Sequence, residues 1–164
     1  MHNYVLQYLF FIVFRQSIHH LNNSSFQRKH RFLFFIIKDN PHFLYDYSIK
    51  VTIHNIEYMC HHVIVANVPR YGGPFRPAPD AIYNDGEFDI VMYIKKGRRN
   101  MLRYGWKAIC GSNWANDDDI LRIRTDKVML ESEEPVSLQC DGDPDGVLPR
   151  ECRVVRDGAT FLVP

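Results

Sequence analysis

From residue 47 onward, short alternating segments separated by turn residues restrict the fold more than any other feature of the sequence. In residues 49–53, isoleucine and valine alternate with lysine and threonine. A period of two places successive side chains on opposite faces of a strand, so this segment predicts a strand with one buried face. Asn55 offers a turn, and residues 58–66 predict the returning strand of a hairpin.

Several later segments have the same character. Strands are predicted at 88–94, 121–130, 136–140, 152–155 and 160–163. The last two flank Asp157-Gly158, a dipeptide that suits the tight turn of a hairpin. In total, the pattern predicts about seven strands joined by short connections.

Two segments have helical signals. Residues 100–110 have apolar side chains at helical spacing, and Gly111 is a suitable C-cap. The apolar stretch 31–38 precedes Asn40-Pro41, which fits an ending helix. Because hairpins rather than helical crossovers join most strands, we expect a mainly β fold: an antiparallel β-sandwich, or a barrel, with two or three short helices.

Size and charge argue against two classes of protein. The longest apolar run, residues 9–14, is much shorter than the roughly 20 residues that cross a bilayer, so a membrane-spanning protein is not expected. The net charge of +1 gives no general attraction to nucleic acid, and no nucleic-acid partner is expected.

Residues 1–30 have no assignment from the sequence. The segment lacks the basic start and the small-residue cleavage site of a signal peptide. It is either a short helix packed on the core or a leader produced by truncation of a longer gene. We therefore expect the domain itself to occupy residues 31–164.

Charge is distributed unevenly along the chain. Residues 1–116 carry 14 basic and 7 acidic residues, whereas residues 117–164 carry 6 and 12. The densest basic group consists of Lys95, Lys96, Arg98, Arg99, Arg103 and Lys107. Such a cluster either docks anionic lipid head groups or phosphates, or forms an ordinary solvated face.

The cysteine and histidine residues match no disulfide or zinc pattern. The four cysteines are Cys60, Cys110, Cys140 and Cys152. They form no CxxC pair and are too sparse for a disulfide scaffold, so we expect reduced thiols, mostly buried in strands. The histidine pairs 19–20 and 61–62 would point to opposite faces of a strand, and no zinc site is expected.

Residues 67–89 combine dense glycine and proline with acidic residues. The carboxylates are those of Asp80, Asp85, Glu87 and Asp89. Carboxylate and carbonyl oxygens beside a sharp turn are the donors that Mg²⁺ or Ca²⁺ prefers. An elaborate loop with a turn at Asp85-Gly86 accounts for the same residues without a metal.

A second acidic group, Asp141-Gly142-Asp143, follows the predicted strand 136–140. If the backbone stays extended there, residues two apart share one face, and both carboxylates aim at one point. Such a pair could accept a hydroxyl proton or share a cation. A plain turn is the alternative interpretation.

Together the two segments resemble a known family. The ordered pattern NxxxYGGxxxxxPDAxxxDGxxD over residues 67–89, followed by QxDGxP at 139–144 and an ending close to LVP, is similar to the C-terminal domain of the soluble diacylglycerol kinase and sphingosine kinase family. The resemblance covers roughly residues 30–164. It implies phosphorylation of a lipid hydroxyl with ATP and Mg²⁺ by a cytoplasmic enzyme that associates peripherally with the membrane.

The resemblance also implies site residues. The carbonyl oxygens of Ile82 and Glu87 and the side chain of Asp85 correspond to the ligands of a structural Mg²⁺. The family's DGE motif matches Asp141-Gly142-Asp143, which makes Asp143 the proton acceptor, with Asp141 beside it. Asp143 replaces the family's glutamate and is one methylene shorter.

The nucleotide-binding lobe of the family carries a GGDGT motif, and residues 1–164 contain none. We therefore assign no ATP-binding residues, and expect a separate or missing nucleotide-binding domain. The first hypothesis is the C-terminal, lipid-binding half of a diacylglycerol kinase-type enzyme. The alternative is a catalytically silent fragment or a lipid- or protein-binding module. The sequence leaves the choice between monomer and homodimer open.

Overall fold

The computed structural model describes residues 9–12, 47–70, 75–110, 117–140 and 143–155. Within these ranges the chain forms ten strands and one helix. The strands are β1 (Leu9–Ile12), β2 (Ile49–Ile53), β3 (Ile56–Cys60), β4 (His62–Ala66), β5 (Phe88–Tyr93), β6 (Ile120–Thr125), β7 (Lys127–Glu131), β8 (Ser137–Cys140), β9 (Asp143–Val147) and β10 (Arg150–Arg153). The helix α1 spans Arg98–Cys110.

The strands form two sheets. The larger sheet has the order β6-β5-β4-β1-β8-β9, and the smaller has the order β10-β7-β2-β3. All pairings are antiparallel except those of β1, which lies parallel to β4 and β8. The predicted β-sandwich class is therefore confirmed, with β1 as a parallel strand inside the larger sheet.

The alternating residues of the smaller sheet build the inner core. Ile49, Val51 and Ile53 are buried against the larger sheet, as the period of two predicts. Val63 and Val65 of β4 meet them from the opposite sheet. Two sheets that each bury one face in this way give the closed core of a sandwich.

A second core lies on the outer face of the larger sheet. Tyr104 and Ala108 of α1 pack there against Val91 and Tyr93 of β5. The Tyr93 and Tyr104 rings are 4.7 Å apart between centroids. Because β4 and β5 are covered on both faces, their residues are buried in nearly continuous runs rather than in alternation.

Two predicted strands are each divided between the sheets. The predicted strand 58–66 breaks at His61, where β3 of the smaller sheet ends and β4 of the larger sheet begins. The predicted strand 121–130 breaks in the same way at Asp126, between β6 and β7. A single strand was the wrong prediction in both places, because apolar alternation does not indicate which sheet a residue joins.

Strand β9 is absent from the sequence prediction. It contains Pro144 and Gly146, residues that strands disfavour, and Gly146 has a φ of 80°. The strand lies at the edge of the larger sheet, where a proline without an N–H is tolerated.

The remaining secondary-structure predictions have different outcomes. Asn55 occupies the β2–β3 turn with a φ of 64°, as expected for a tight hairpin. The predicted helix 100–110 is α1, which begins two residues earlier. The stretch 31–38, the Asp157-Gly158 turn and the strand 160–163 lie outside the described residues, and β1 is the described part of the unassigned segment 1–30.

The thiol prediction agrees with the described cysteines. Cys60, Cys110 and Cys152 are free thiols, and three of the four cysteines lie in strands. Cys60 and Cys152 are buried, Cys140 is half-buried and Cys110 is exposed at the end of α1.

Candidate functional site

The loop of residues 75–87 lies over the outer face of the larger sheet, beside α1. The Arg76 N–H donates to the Ala108 carbonyl oxygen of the helix at 2.7 Å. Ala78 and Ala81 are buried in the outer core, and the Ala81 N–H donates to the Ala78 carbonyl oxygen at 3.1 Å. Small side chains at these two positions let the backbone approach the sheet closely. The glycine-rich part of the motif, residues 71–74, lies outside the described residues.

The predicted turn at Asp85-Gly86 is present. Gly86 has a φ of 80°, a left-handed conformation that glycine adopts at little cost. Asp85 Oδ1 accepts a hydrogen bond from the Glu87 N–H at 3.0 Å. The side chain of Asp85 is thereby tied to its own turn.

Arg124 of β6 holds the two carboxylates of this turn. Its Nη2 bonds Asp85 Oδ2 and lies 3.1 Å from Glu87 Oε2. One guanidinium nitrogen thus bridges two carboxylates that are two residues apart in the chain. This contact places a full positive charge next to the Asp85 and Glu87 carboxylates of the turn.

Arg122, two residues earlier on β6, holds the other two acidic residues of the loop motif. Its Nη1 is 2.8 Å from Asp80 Oδ2, and its Nη2 is 2.8 Å from Asp89 Oδ1. Asp89 lies on β5 and is buried. Since residues two apart on a strand share a face, Arg122 and Arg124 both point at the loop. All four loop carboxylates are therefore paired with these two arginines.

These contacts test whether the turn fits the magnesium ion that the resemblance implies. Both oxygens of Asp85 already have partners, the Glu87 N–H and Arg124. A divalent ion on Oδ2 would share that oxygen with a guanidinium, and the repulsion between the two cations is on the order of several kcal/mol. Among the residues that the structure describes, no three His, Cys, Asp or Glu side chains are grouped to hold a metal ion. The turn does not fit a bound Mg²⁺ while Arg124 stays in place.

Of the second acidic motif, only the backbone of Asp143 is described, and it lies at the other edge of the larger sheet. Asp141 and the side chain of Asp143 are outside the described residues. The backbone of Asp143 begins β9, in register with Cys140 of β8. Strands β9 and β6 form opposite edges of the sheet, so the backbone of Asp143 lies far from the turn that Arg124 contacts.

Three residues of the basic cluster form ion pairs that connect α1 to the segment before β6. Lys95 Nζ is 2.7 Å from Asp119 Oδ1, Arg103 contacts Asp117 and Asp119, and Lys107 contacts Asp117. Hydrogen bonds from Lys95 and Arg103 lower the pKa of Asp119 despite its burial. We call these five residues the helix ion-pair network. It fastens α1 to the segment that leads into β6.

Asp117 behaves in the same way. Burial acts to raise the pKa of its carboxyl, but hydrogen bonds from Lys107 and from the Asp119 N–H, together with the charge of Arg103, lower it overall. Three of the six basic residues therefore serve a structural contact between α1 and the segment before β6.

The outward face of α1 exposes two large apolar side chains. Leu102 is 64% exposed and Trp106 is 69% exposed, one turn apart on the same side of the helix. Tyr104 and Ala108 occupy the inward side. Lys96 and Arg99 lie exposed near the start of the helix. An exposed tryptophan and leucine beside basic residues form a surface of the kind found at membrane interfaces.

A comparison with protein-family models matches residues 19–162 to the YegS C-terminal NAD kinase beta sandwich-like domain. The match spans well over half of the chain. The chain belongs to this family.

Individual relatives agree with membership of the YegS C-terminal domain family. The chain is 32% identical over 80 residues to a diacylglycerol kinase of Bacillus subtilis (strain 168), across 49% of this chain and 26% of that protein. A crystal structure of a diacylglycerol kinase from Bacillus anthracis str. Sterne has a TM-score of 0.56 and 21% identity, across 69% of this chain and 41% of its own. Another, from the same organism and provisionally described as a diacylglycerol kinase, has a TM-score of 0.61 and 20% identity, across 82% and 46%.

The similarity to these solved structures establishes the fold of this chain, a YegS C-terminal domain. The chain spans about a quarter of the length of its curated relative and less than half of each structure.

Sequence reasoning missed Arg122 and Arg124 of this YegS C-terminal domain as site residues. Both were counted only as part of a strand. A signal was nevertheless present, because two arginines at alternate positions of an otherwise apolar strand must share a face and require acidic partners when that face is covered.

Proposed function

We propose that the chain is the C-terminal, lipid-binding half of an ATP-dependent lipid kinase that phosphorylates a diacylglycerol-like hydroxyl. The identity to the B. subtilis diacylglycerol kinase over 80 residues carries the proposal. The two-sheet architecture, which the solved diacylglycerol kinase structures share, supports it. The nucleotide would bind to a separate domain.

The chemistry assigned to this chain is proton transfer. The lipid hydroxyl loses its proton to the Asp143 carboxylate as its oxygen attacks the γ-phosphorus of ATP, and ADP leaves with the bridging oxygen. Magnesium bound to the nucleotide would neutralise charge on the phosphates. Asp141, two residues away, would help to hold the substrate or a cation at the same place.

A reconstitution assay tests the proposal. The chain is mixed with the isolated nucleotide-binding domain of the B. subtilis diacylglycerol kinase, and transfer from labelled ATP to diacylglycerol in micelles is measured. We expect turnover that Asp143→Asn reduces by about 100-fold or more. Asp126→Asn is the matched control, because Asp126 is an exposed residue between β6 and β7. Absence of turnover with the added domain, or equal rates for both variants, would contradict the proposal.

A second candidate is a catalytically silent lipid-binding module, and the shorter side chain at position 143 favours it. A carboxylate displaced by one methylene is poorly placed for proton transfer, since small misplacements are costly. Asp143→Glu restores the length that the family motif has. If the chain binds lipid in the reconstituted assay but only Asp143→Glu transfers phosphate, the silent module is the correct function.

We further propose a peripheral position on an anionic bilayer, on the cytoplasmic side, through the outward face of α1. The described residues include no helix with the length and apolar character needed to span a membrane. Leu102 and Trp106 would enter the interface, while nearby basic residues contact the head groups.

Co-sedimentation with lipid vesicles tests this surface. We expect binding to phosphatidylglycerol vesicles and little binding to phosphatidylcholine vesicles, with a loss in the double variant Leu102→Ser/Trp106→Ser. Met59→Ser, at an exposed apolar residue of β3, is the control and should bind like the unchanged chain. Equal binding by both variants would exclude α1 as the contact surface.

A further inference from the structure

We propose that Arg124 is the resident cation of the 82–87 turn, so that the turn is held by a guanidinium and takes up divalent metal only when this side chain is removed. This role of Arg124 in stabilising the loop does not depend on phosphoryl transfer by the chain.

The first support is that each carboxylate oxygen of Asp85 has a partner within the chain. Oδ1 accepts the Glu87 N–H and Oδ2 accepts the Arg124 guanidinium. The side chain of Asp85 is only 21% exposed, so these contacts lie in a sheltered position. A carboxylate with both oxygens bonded and little solvent contact is a poor vacant ligand for a second cation.

The second support is that Arg124 joins two carboxylates as a metal ion would. Its Nη2 contacts Oδ2 of Asp85 and lies 3.1 Å from Oε2 of Glu87. A guanidinium stays charged at all accessible pH values and offers several donors in a fixed plane. It therefore offsets one of the two negative charges of the turn at any metal concentration.

The third support is the position of Arg124 in the sheet. It pairs in register with Asp89 of β5, and Arg122 on the same strand face holds Asp89 and Asp80. The arginine backbone is thus fixed by six register pairs between β5 and β6. The Arg124 side chain is therefore anchored on strand β6 and extends from the sheet to the turn that lies over it.

The same geometry shows how a metal could be admitted. The Arg124 side chain is 48% exposed, so its replacement would not disturb the core. Its removal would leave the Asp85 carboxylate and the nearby backbone carbonyl oxygens without a cation. Hard oxygen donors of this kind bind Mg²⁺.

Magnesium binding and thermal stability of the purified chain test the inference. Calorimetric titration with MgCl₂, and unfolding temperatures with MgCl₂ or with EDTA, are compared for the unchanged chain and for Arg124→Gln. We expect no effect of Mg²⁺ on the unchanged chain. Arg124→Gln should unfold at a lower temperature in EDTA, recover on addition of Mg²⁺, and bind Mg²⁺ at least about tenfold more tightly than the unchanged chain.

Two further variants make the outcome specific. Arg153→Gln removes an exposed arginine of the smaller sheet and should change neither quantity. The double variant Asp85→Asn/Arg124→Gln should lose the recovery, because the ligand itself is gone. Arg124→Lys keeps the charge and should remain insensitive to Mg²⁺. Arg124→Met also removes the charge and takes the place of Arg124→Gln in these measurements if that variant does not fold.

Two results would overturn the inference. The first is that the unchanged chain binds Mg²⁺ and is stabilised by it, and that Asp85→Asn abolishes both effects. The second is that the charge-removing variant, Arg124→Gln or Arg124→Met, binds Mg²⁺ no more tightly than the unchanged chain, because the arginine would then have no part in excluding the ion.

Discussion

At the scale of single residues, Arg122 links the buried Asp89 of β5 to the exposed Asp80 of the overlying loop. Both contacts are 2.8 Å long. A buried carboxylate without a partner is energetically costly. The contact with Arg122 therefore stabilises the fold mainly because Asp89 would otherwise be a buried, unpaired charge. The arginine therefore matters more for Asp89 than for Asp80.

Replacement of Arg122 by methionine should lower the free energy of unfolding by about 3 kcal/mol, because Asp89 would be left buried without its partner. Urea unfolding followed by circular dichroism measures the change. Arg153→Met removes an exposed arginine paired with Glu151 and should cost less than about 0.5 kcal/mol. Equal costs for the two variants would show that the Asp89 pair adds no more than a surface pair.

The cysteine residues differ in reactivity because they differ in burial. Burial raises the pKa of the Cys60 and Cys152 thiols to about 12, so both stay protonated near neutral pH. Cys110 is exposed at the end of α1. In the folded chain, iodoacetamide should modify Cys110 first and reach Cys60 and Cys152 only after denaturant is added.

Mass spectrometry of peptides after short and long labelling measures this order. Cys110→Ser should remove the fast reaction and leave the slow ones unchanged. Rapid labelling of Cys60 in the native chain would mean that the edge strand β3 opens readily.

At the scale of elements, α1 is held to the larger sheet by two kinds of contact. Tyr104 and Ala108 fill the outer core, and the helix ion-pair network joins the helix to the segment before β6. The sequence separates the network's basic and acidic residues by about one helix length, and only docking of the helix brings them together. The network should therefore respond to pH as a unit.

Acid should weaken the helix contact. The folded-state pKa values of Asp117 and Asp119 lie below the ordinary value of about 3.9, so their stabilisation is complete above that value and is lost as the pH falls through the lower folded values. We expect Asp119→Asn to be less stable at neutral pH and to lose less further stability between about pH 5 and pH 3.

Denaturant titrations at a series of pH values measure this dependence. Asp118→Asn is the control, because Asp118 is the exposed neighbour of the two aspartates. If Asp119→Asn and the unchanged chain lost equal stability on acidification, the network would not contribute to the acid transition.

At the scale of the whole molecule, the larger sheet serves both cores. Its inner face packs on the smaller sheet, and its outer face packs on α1 and the 75–87 loop. Strand β5 contributes Ile90 to the inner core and Val91 to the outer core. A destabilising substitution in either core should therefore also destabilise the other core, because the two cores share strands of the larger sheet.

We expect one unfolding transition for both cores. Leu130→Ala in the inner core and Tyr104→Ala in the outer core should each cost about 3 kcal/mol, since both side chains are buried. Near- and far-ultraviolet circular dichroism should give coincident curves for both variants. An early near-ultraviolet transition confined to Tyr104→Ala would show that the helix layer unfolds separately.

Local patterns in the sequence were sufficient for several elements. The alternation in residues 49–53, the turn at Asn55 and the helical spacing of 100–110 each depend on neighbours within a few positions. The turn at Asp85-Gly86 is local in the same sense, because Asp85 bonds the backbone only two residues on. Strand β9 was missed because the edge position that tolerates Pro144 is not visible in its own residues.

The sequence by itself determined the β-rich character, the turns and the family motifs of this chain, since these follow from side-chain periodicity and from short-range backbone preferences. Tertiary structure alone decided the sheet changes at His61 and Asp126 and the pairing of the loop carboxylates with β6. The partners in those ion pairs are 33 to 42 residues apart in the chain. Such contacts form only when the two sheets and the helix pack together. A buried charge without a partner would then raise the free energy of the folded state, which favours the paired arrangement.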